Sequence, residues 1–477
     1  MRLFSNHFRL GMTQPQLDFV DVPVNGDIPL FVDPFAIATR QDPWSQECHH
    51  TILSFFDRVI SAIRGDRLDE ALDLLRYLRE PNETRLGLSA RKPQGAGIGA
   101  YQSQQLLQAL RDSSAVKTGF LNSVEECELM VEGIGRDKIS DLTTNVIRSN
   151  LVGYTVDQCH LFGIPTQRVA LAPQYCRDTG RWSSEYAALP VAQGKPILLV
   201  PKAIARYDPA YNHQKYYRGF VLNYLQAEHL NAGSSLVHTF KNGRRTVYKK
   251  DLEAKYPCTK DFLYEFSREH PDVLTEYREA MAKVQSLGVD YIVGEKAENA
   301  IAKALTKAIE NIPPGGDHAT DYHRLMIGIA EFIFFPHLLH PVKEQEIHQG
   351  RKRIDIRMEN GAYSGIFERL HRVRHLHCPY VVFECKNYTT EVANPELDQI
   401  SSRFATQRGQ FGMLACRHFE DRARFVERCR DTFKDGRGLA VPLDDETLKC
   451  WLSKIGSGHR NDLERDFTNL VDEVWYS

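Results

Sequence analysis

Apolar positions recur along the chain at two spacings, and the change from one to the other marks its organisation. Between Ser45 and Arg64, residues Ile52, Leu53, Phe55, Phe56, Val59, Ile60 and Ile63 follow helical spacing. Leu68 to Leu78 predicts a second helix, stopped by Pro81-Asn82-Glu83. Ahead of these, residues 14 to 44 read as extended, with Leu17 to Val22 and Pro29 to Pro34 alternating like short strands. Further helices are predicted from Gln102 to Arg111, up to about Leu151, from Tyr216 to His229, from Lys260 to Glu269, from Pro271 to Ser286 and from Ala297 to Ile312. Lys195 to Pro201 predicts a short buried strand.

Pro313-Pro314-Gly315-Gly316 is the clearest break in the chain. It divides the sequence into a mainly helical α+β portion (1–290), a connecting helix and turn (291–318) and a C-terminal α/β portion (319–477). The last portion changes spacing repeatedly. Leu325 to Phe335 is an apolar helix carrying one acid, Glu331. Arg351 to Arg357 and Tyr380 to Tyr388 read as strands, Pro395 to Arg408 as a helix, and Gln410 to Arg417 as a buried strand. Asp421 to Phe433 reads as a helix and Gly438 to Leu443 as a last strand. Pro442 favours a sheet edge, because it cannot donate to a ladder. The terminal helix is expected to end near Tyr476.

The strand Tyr380-Val-Val-Phe-Glu-Cys-Lys-Asn-Tyr388 carries the chemistry. Alternation puts Glu384 and Lys386 on one face. Burying such charges is costly unless they are paired or bind a metal. If the strand containing Asp355 is a neighbour, then Asp355, Glu384 and Lys386 converge. Two carboxylates suit a hard divalent cation, and a lysine beside them can orient a water or steady developing negative charge.

These residues resemble the PD-(D/E)xK, or restriction-endonuclease-like, nuclease superfamily. Asp355 fits its first acidic position, Glu384 and Lys386 its E-x-K element, and Ile354 stands where the family name has proline. The resemblance covers the C-terminal portion only. The order helix, strand, strand, strand, helix, strand from about 321 to 417 matches the superfamily core, a central mixed sheet flanked by helices. The resemblance implies metal-dependent DNA cleavage with Mg2+ or Mn2+. It gives Glu331 a role as a metal ligand or a support for one, and Gln399 a place near the active site. On the residues alone, Glu331 reads as a helix edge tipped into water. The two-part architecture looks like bacterial restriction and anti-phage effectors. In these a leading domain recognises DNA, a ligand or a protein partner, or drives oligomerisation, and a homo-oligomer is expected. A repair nuclease and an inactive nucleic-acid-binding or assembly protein are the alternatives.

Charge refines this picture without overturning it. The 477-residue chain has a formal net charge of -2, so any basic surface must be local. From Arg351 to His377 there are seven Arg or Lys against three Asp or Glu. Arg351, Lys352, Arg353, Arg369, Arg372 and Arg374 are therefore candidates for contact with duplex DNA. Phe240 to Lys250 holds five basic residues around an Asn-Gly turn and is a weaker candidate. His371, His375 and His377 lack a carboxylate or cysteine at matching spacing, so zinc is not expected. Gly95, Gly97 and Gly99 precede a helix without a following Gly-Lys-Ser/Thr, which reads as a plain turn. Asp137, Asp141 and Asn145 form a polar stripe on a helix, either a solvated face or a ligand or partner site. Ten scattered cysteines without C-x-x-C, and the lack of a signal-like or membrane-spanning run, point to a reducing cytoplasm with no membrane association.

Overall fold

The computed structural model describes residues 2–87, 97–284, 295–343, 356–405 and 408–476. Helix α1, Pro43–Arg64, begins where expected, because Asp42 accepts a hydrogen bond from Ser45 N and Pro43 occupies the first turn. Its apolar face is buried. The helix expected to reach Leu151 is in fact two: α2, Arg136–Val146, and α3, Arg148–Phe162, meet at Ile147. Around α1 and α2, residues between Val32 and Tyr277 close one apolar core.

The alternating stretch Leu17 to Val22 is extended but belongs to no ladder among the described residues; Phe19 bridges Pro201, and Val22 O accepts from Phe4 N. Phe31–Val32 pairs with Ala205–Arg206. Within the predicted strand Lys195 to Pro201, Lys195–Pro196 pairs with Val191–Ala192, and Pro201 makes the bridge to Phe19. Four strands between Gln167 and Leu189 had no clear sequence signal; they are three or four residues long and form two antiparallel pairs.

The C-terminal portion is a five-stranded mixed sheet. Helix α4, Ala319–Phe334, leads into β1, Leu338–Val342; then follow β2, Ile356–Asn360, β3, Tyr380–Lys386, β4, Phe411–Cys416, and β5, Leu439–Asp444. The order is β1-β2-β3-β4-β5. The first three strands are antiparallel and the last three parallel. Parallel neighbours need crossovers, supplied by α5, Asn394–Ser401, and α6, Arg422–Lys434. Helices α7, Asp445–Gly456, and α8, Asp462–Trp475, complete the chain. Strand β5 lies at the edge, as Pro442 requires.

The core ignores the Pro-Gly break. Phe4, Leu17, Phe19, Val20, Tyr154, Phe162, Ile197 and Leu199 belong to the same apolar cluster as the sheet and α4. The N-terminal segment therefore forms part of the sheet's own core. Among the described residues, no helix is long and apolar enough to cross a membrane.

Candidate functional site

Strand β3 runs between β2 and β4, which places Glu384 and Lys386 inside the sheet rather than at its edge. Glu384 is 0% exposed and Lys386 8%. The two side chains share a face, and Lys386 Nζ donates to Glu384 Oε1 at 2.7 Å. Gln399, on α5, accepts from the same ammonium at 3.0 Å through Oε1. Lys386 also lies 5.8 Å from the ring centre of half-exposed Tyr388. Of the expected site residues, Glu384, Lys386 and Gln399 thus form one hydrogen-bonded group. Asp355, with Arg351, Lys352 and Arg353, lies outside the described residues. Its chain neighbour Ile356 stands opposite Phe383, the residue before Glu384.

The end of β3 is tied to the connector. Asn387 Nδ2 donates to the carbonyls of Pro313 and Gly315 at 3.0 and 2.8 Å, and Gly315 N donates to Asn387 O at 2.8 Å. Beside it Arg417, one residue past β4, donates to the Ile309 and Ile312 carbonyls and pairs with Asp445 at 3.1 Å. Burial raises the Asp445 carboxyl to about 6 against the pull of Arg417. Tyr322 OH donates to the same carboxylate. Asp445, Arg417 and Tyr322 were not among the candidate residues read from the sequence.

Glu331 belongs elsewhere. It is 0% exposed, so the expectation of a water-facing helix edge fails. Its Oε2 accepts from Lys202 Nζ at 3.0 Å. Helix α4 explains the separation from Glu384. The chain just before α4 lies against Asn387, at the Lys386 end of the sheet, and α4 ends at Phe334, just before Leu338. Leu338 pairs with Asn360, at the opposite end of the ladder from Ile356 and Phe383. Nine residues after Tyr322, Glu331 has travelled away from the E-x-K group.

Around Glu331 lies a buried ionic network that the sequence did not reveal. His340 Nδ1 contacts Asp18 Oδ2 at 3.2 Å and its Nε2 contacts Asp42 Oδ1 at 3.3 Å. Arg40 Nε holds Asp42 at 2.8 Å, and Tyr154 OH donates to Asp18. Burial disfavours the His340 imidazolium, but the two carboxylates outweigh it and hold its pKa well above the usual value. Burial raises Glu359 to about 7 and also raises Glu331. Ligand atoms of Asp42, His340 and Glu359 lie within 4.8 Å of one another, close enough for a cation. Arg40 and the His340 imidazolium already supply positive charge there, so the group is self-neutralising.

The basic segment is partly consumed by the fold. Arg369 donates to Glu464 and Thr468, and Arg374 donates to Asp472 while its guanidinium sits over Trp475. Both therefore brace α8. Arg372 is exposed. His371 Nδ1 accepts from Cys378 N, and its ring lies 5.6 Å from that of His377.

Comparison with known proteins adds one match. A family model described as a domain of unknown function (DUF8370) matches residues 9–212. The matched stretch supplies Asp18, Asp42 and Lys202 to the network, and ends before the sheet begins. No curated protein and no solved structure matches the chain.

Proposed function

We propose that the C-terminal portion is a metal-dependent endonuclease of the PD-(D/E)xK type that hydrolyses DNA phosphodiester bonds. The observation that carries this reading is Lys386 Nζ held between Glu384 Oε1 and Gln399 Oε1 on a strand flanked on both sides. The helix α4, the antiparallel β1-β2-β3 and the α5 crossover to a parallel β4 agree with that superfamily's core order.

The residues suit a hard cation. Glu384 offers carboxylate oxygens and Gln399 an amide oxygen, donors that magnesium or manganese accepts. Glu384, with Asp355, would hold the ion; once bound it polarises the phosphodiester and lowers the pKa of a water. The chain's own residues do the rest. Gln399 and Glu384 fix the Lys386 ammonium in one place, so its N–H groups are aimed before substrate arrives. Lys386 orients the attacking water or steadies charge on the phosphate. Glu331 is paired with Lys202 and stands outside this hydrogen-bonded group.

The reading is tested by incubating the protein with supercoiled plasmid, linear duplex, single-stranded DNA and RNA, each with magnesium, manganese or chelator. Cleavage of DNA in the metal arms alone is expected. Equal cleavage in chelator would reject the metal, and cleavage of RNA alone would reject the substrate. A defence role against phage, in which the leading portion receives the trigger, is what the resemblance to restriction and anti-phage effectors suggests, and is tested by phage challenge of cells expressing the protein.

A further inference from the structure

Glu331 is satisfied on one side only. Its Oε2 takes the Lys202 ammonium, while its Oε1 has no hydrogen-bond partner among the described residues. A fully buried carboxylate oxygen left in this way is costly. The same side chain borders a cavity of about 410 Å³, within the ~300–1,000 Å³ range of small-molecule sites. Pro15 and Lys202 line it from the N-terminal portion, and α4, α7 and α8 from the sheet portion.

The remaining walls define what fits. Phe334, Phe367, Trp451 and Phe467 border the cavity as a connected aromatic cluster, with ring centres 5.1 Å apart for Phe367 and Phe467 and 5.8 Å for Trp451 and Phe467. Such a wall favours a planar aromatic guest. Arg460, which also lines the cavity, is already committed to Glu298 and to the Phe332 carbonyl. Glu298 and Glu464 lie on the lining too. Three glutamates against two cations disfavour a phosphate and favour a guest that donates hydrogen bonds. Burial, which raises the Glu331 pKa, adds to the gain when a donor reaches Oε1.

We propose that this cavity binds a planar nitrogen heterocycle of the nucleobase class, as free base or nucleoside, with an N–H edge on Glu331 Oε1 and its ring against the Trp451–Phe467 wall. Because Lys202 and α4 meet at the same carboxylate, the guest sits where the two portions of the chain join. This site is separate from the E-x-K group and does not depend on nuclease activity.

The test is a titration of the full-length protein, without metal or DNA, followed by tryptophan fluorescence and thermal shift. The probes are guanosine, adenosine and 2-aminobenzimidazole, with caffeine as a stacking purine that has no N–H donor. At least one N–H probe is expected to saturate below about 1 mM, with caffeine at least tenfold weaker. Trp451→Phe removes most of the fluorescence change, and Glu331→Gln weakens binding at least tenfold. The double variant Glu331→Gln/Lys202→Met, which removes both charges of the pair together, serves if the single variant does not fold and should show the same loss. Absence of saturation by every N–H probe with folded wild-type protein, equal binding of caffeine, or unchanged affinity in the folded Gln variant overturns the proposal.

Discussion

Lys202 and Glu331, 129 positions apart, form an ion pair at 3.0 Å in which both side chains are at most 2% exposed. The pair joins the N-terminal portion to the central helix of the sheet portion, so the two cannot separate without baring both charges. Replacing one partner leaves the other buried and uncompensated. Lys202→Ala is expected to cost about 3 kcal/mol of stability. Lys202→Met combined with Glu331→Gln should recover most of it. Denaturant unfolding of the single and double variants measures both, and equal losses in the two would contradict the pairing.

Asn387 gives a second mechanical link, because it pins the Pro313 and Gly315 carbonyls to the end of β3. Asn387→Ala leaves those carbonyls without this donor and should cost about 1–3 kcal/mol. Limited proteolysis should then cut faster near residues 313–316. An unchanged cleavage rate there would show that the tie does not hold the connector.

Stability should fall as pH rises through the neutral range. Glu359 has a folded pKa of about 7 against an ordinary 4.5. Between those values the native state binds a proton that the unfolded state has lost, so stability drops as pH climbs and the loss is complete above about 7. His340, held protonated by Asp18 and Asp42, acts in the same direction above its ordinary value of 6.5. Other buried acids contribute too, so the comparison is with Glu359→Gln. The variant should flatten the fall in unfolding free energy between pH 5 and 7.5 by on the order of 2–3 kcal/mol. A variant curve parallel to the wild type would contradict this.

Gln399 touches Lys386 by a single hydrogen bond from a half-buried position. Gln399→Ala should lower DNA cleavage at least tenfold while costing only about 1 kcal/mol of stability. Gln399→Glu keeps an acceptor for the ammonium and should retain more activity than the alanine variant. Matched kinetics for both variants would remove Gln399 from the account.

What the sequence disclosed follows from how locally each feature is written. Glu384 and Lys386 are two residues apart on a strand, so alternation alone puts them on one face. Gln399 lies on the crossover helix that a parallel β3–β4 pair requires. Pro442 announced an edge strand through its missing N–H. Glu331 was visible as an acid in an apolar helix, but its partner lies in a short turn after Pro201 that no periodicity marks. The network of Asp18, Asp42, His340 and Glu359 is likewise assembled from four distant segments. Phe19 and Phe4 look like parts of an N-terminal domain and instead fill the sheet's core. The two antiparallel pairs between Gln167 and Leu189 left little signal because each strand is only three or four residues long, too short for alternation to show.

The most direct test of the nuclease reading is magnesium-dependent nicking of supercoiled plasmid by wild-type protein and by Lys386→Ala. Removing the lysine also leaves Glu384 buried without its cation, so each preparation is first shown to be folded by its circular dichroism and unfolding midpoint. The account predicts cutting by the wild type that chelator stops and that the folded variant loses by at least a hundredfold. Undiminished cutting by folded Lys386→Ala would contradict it.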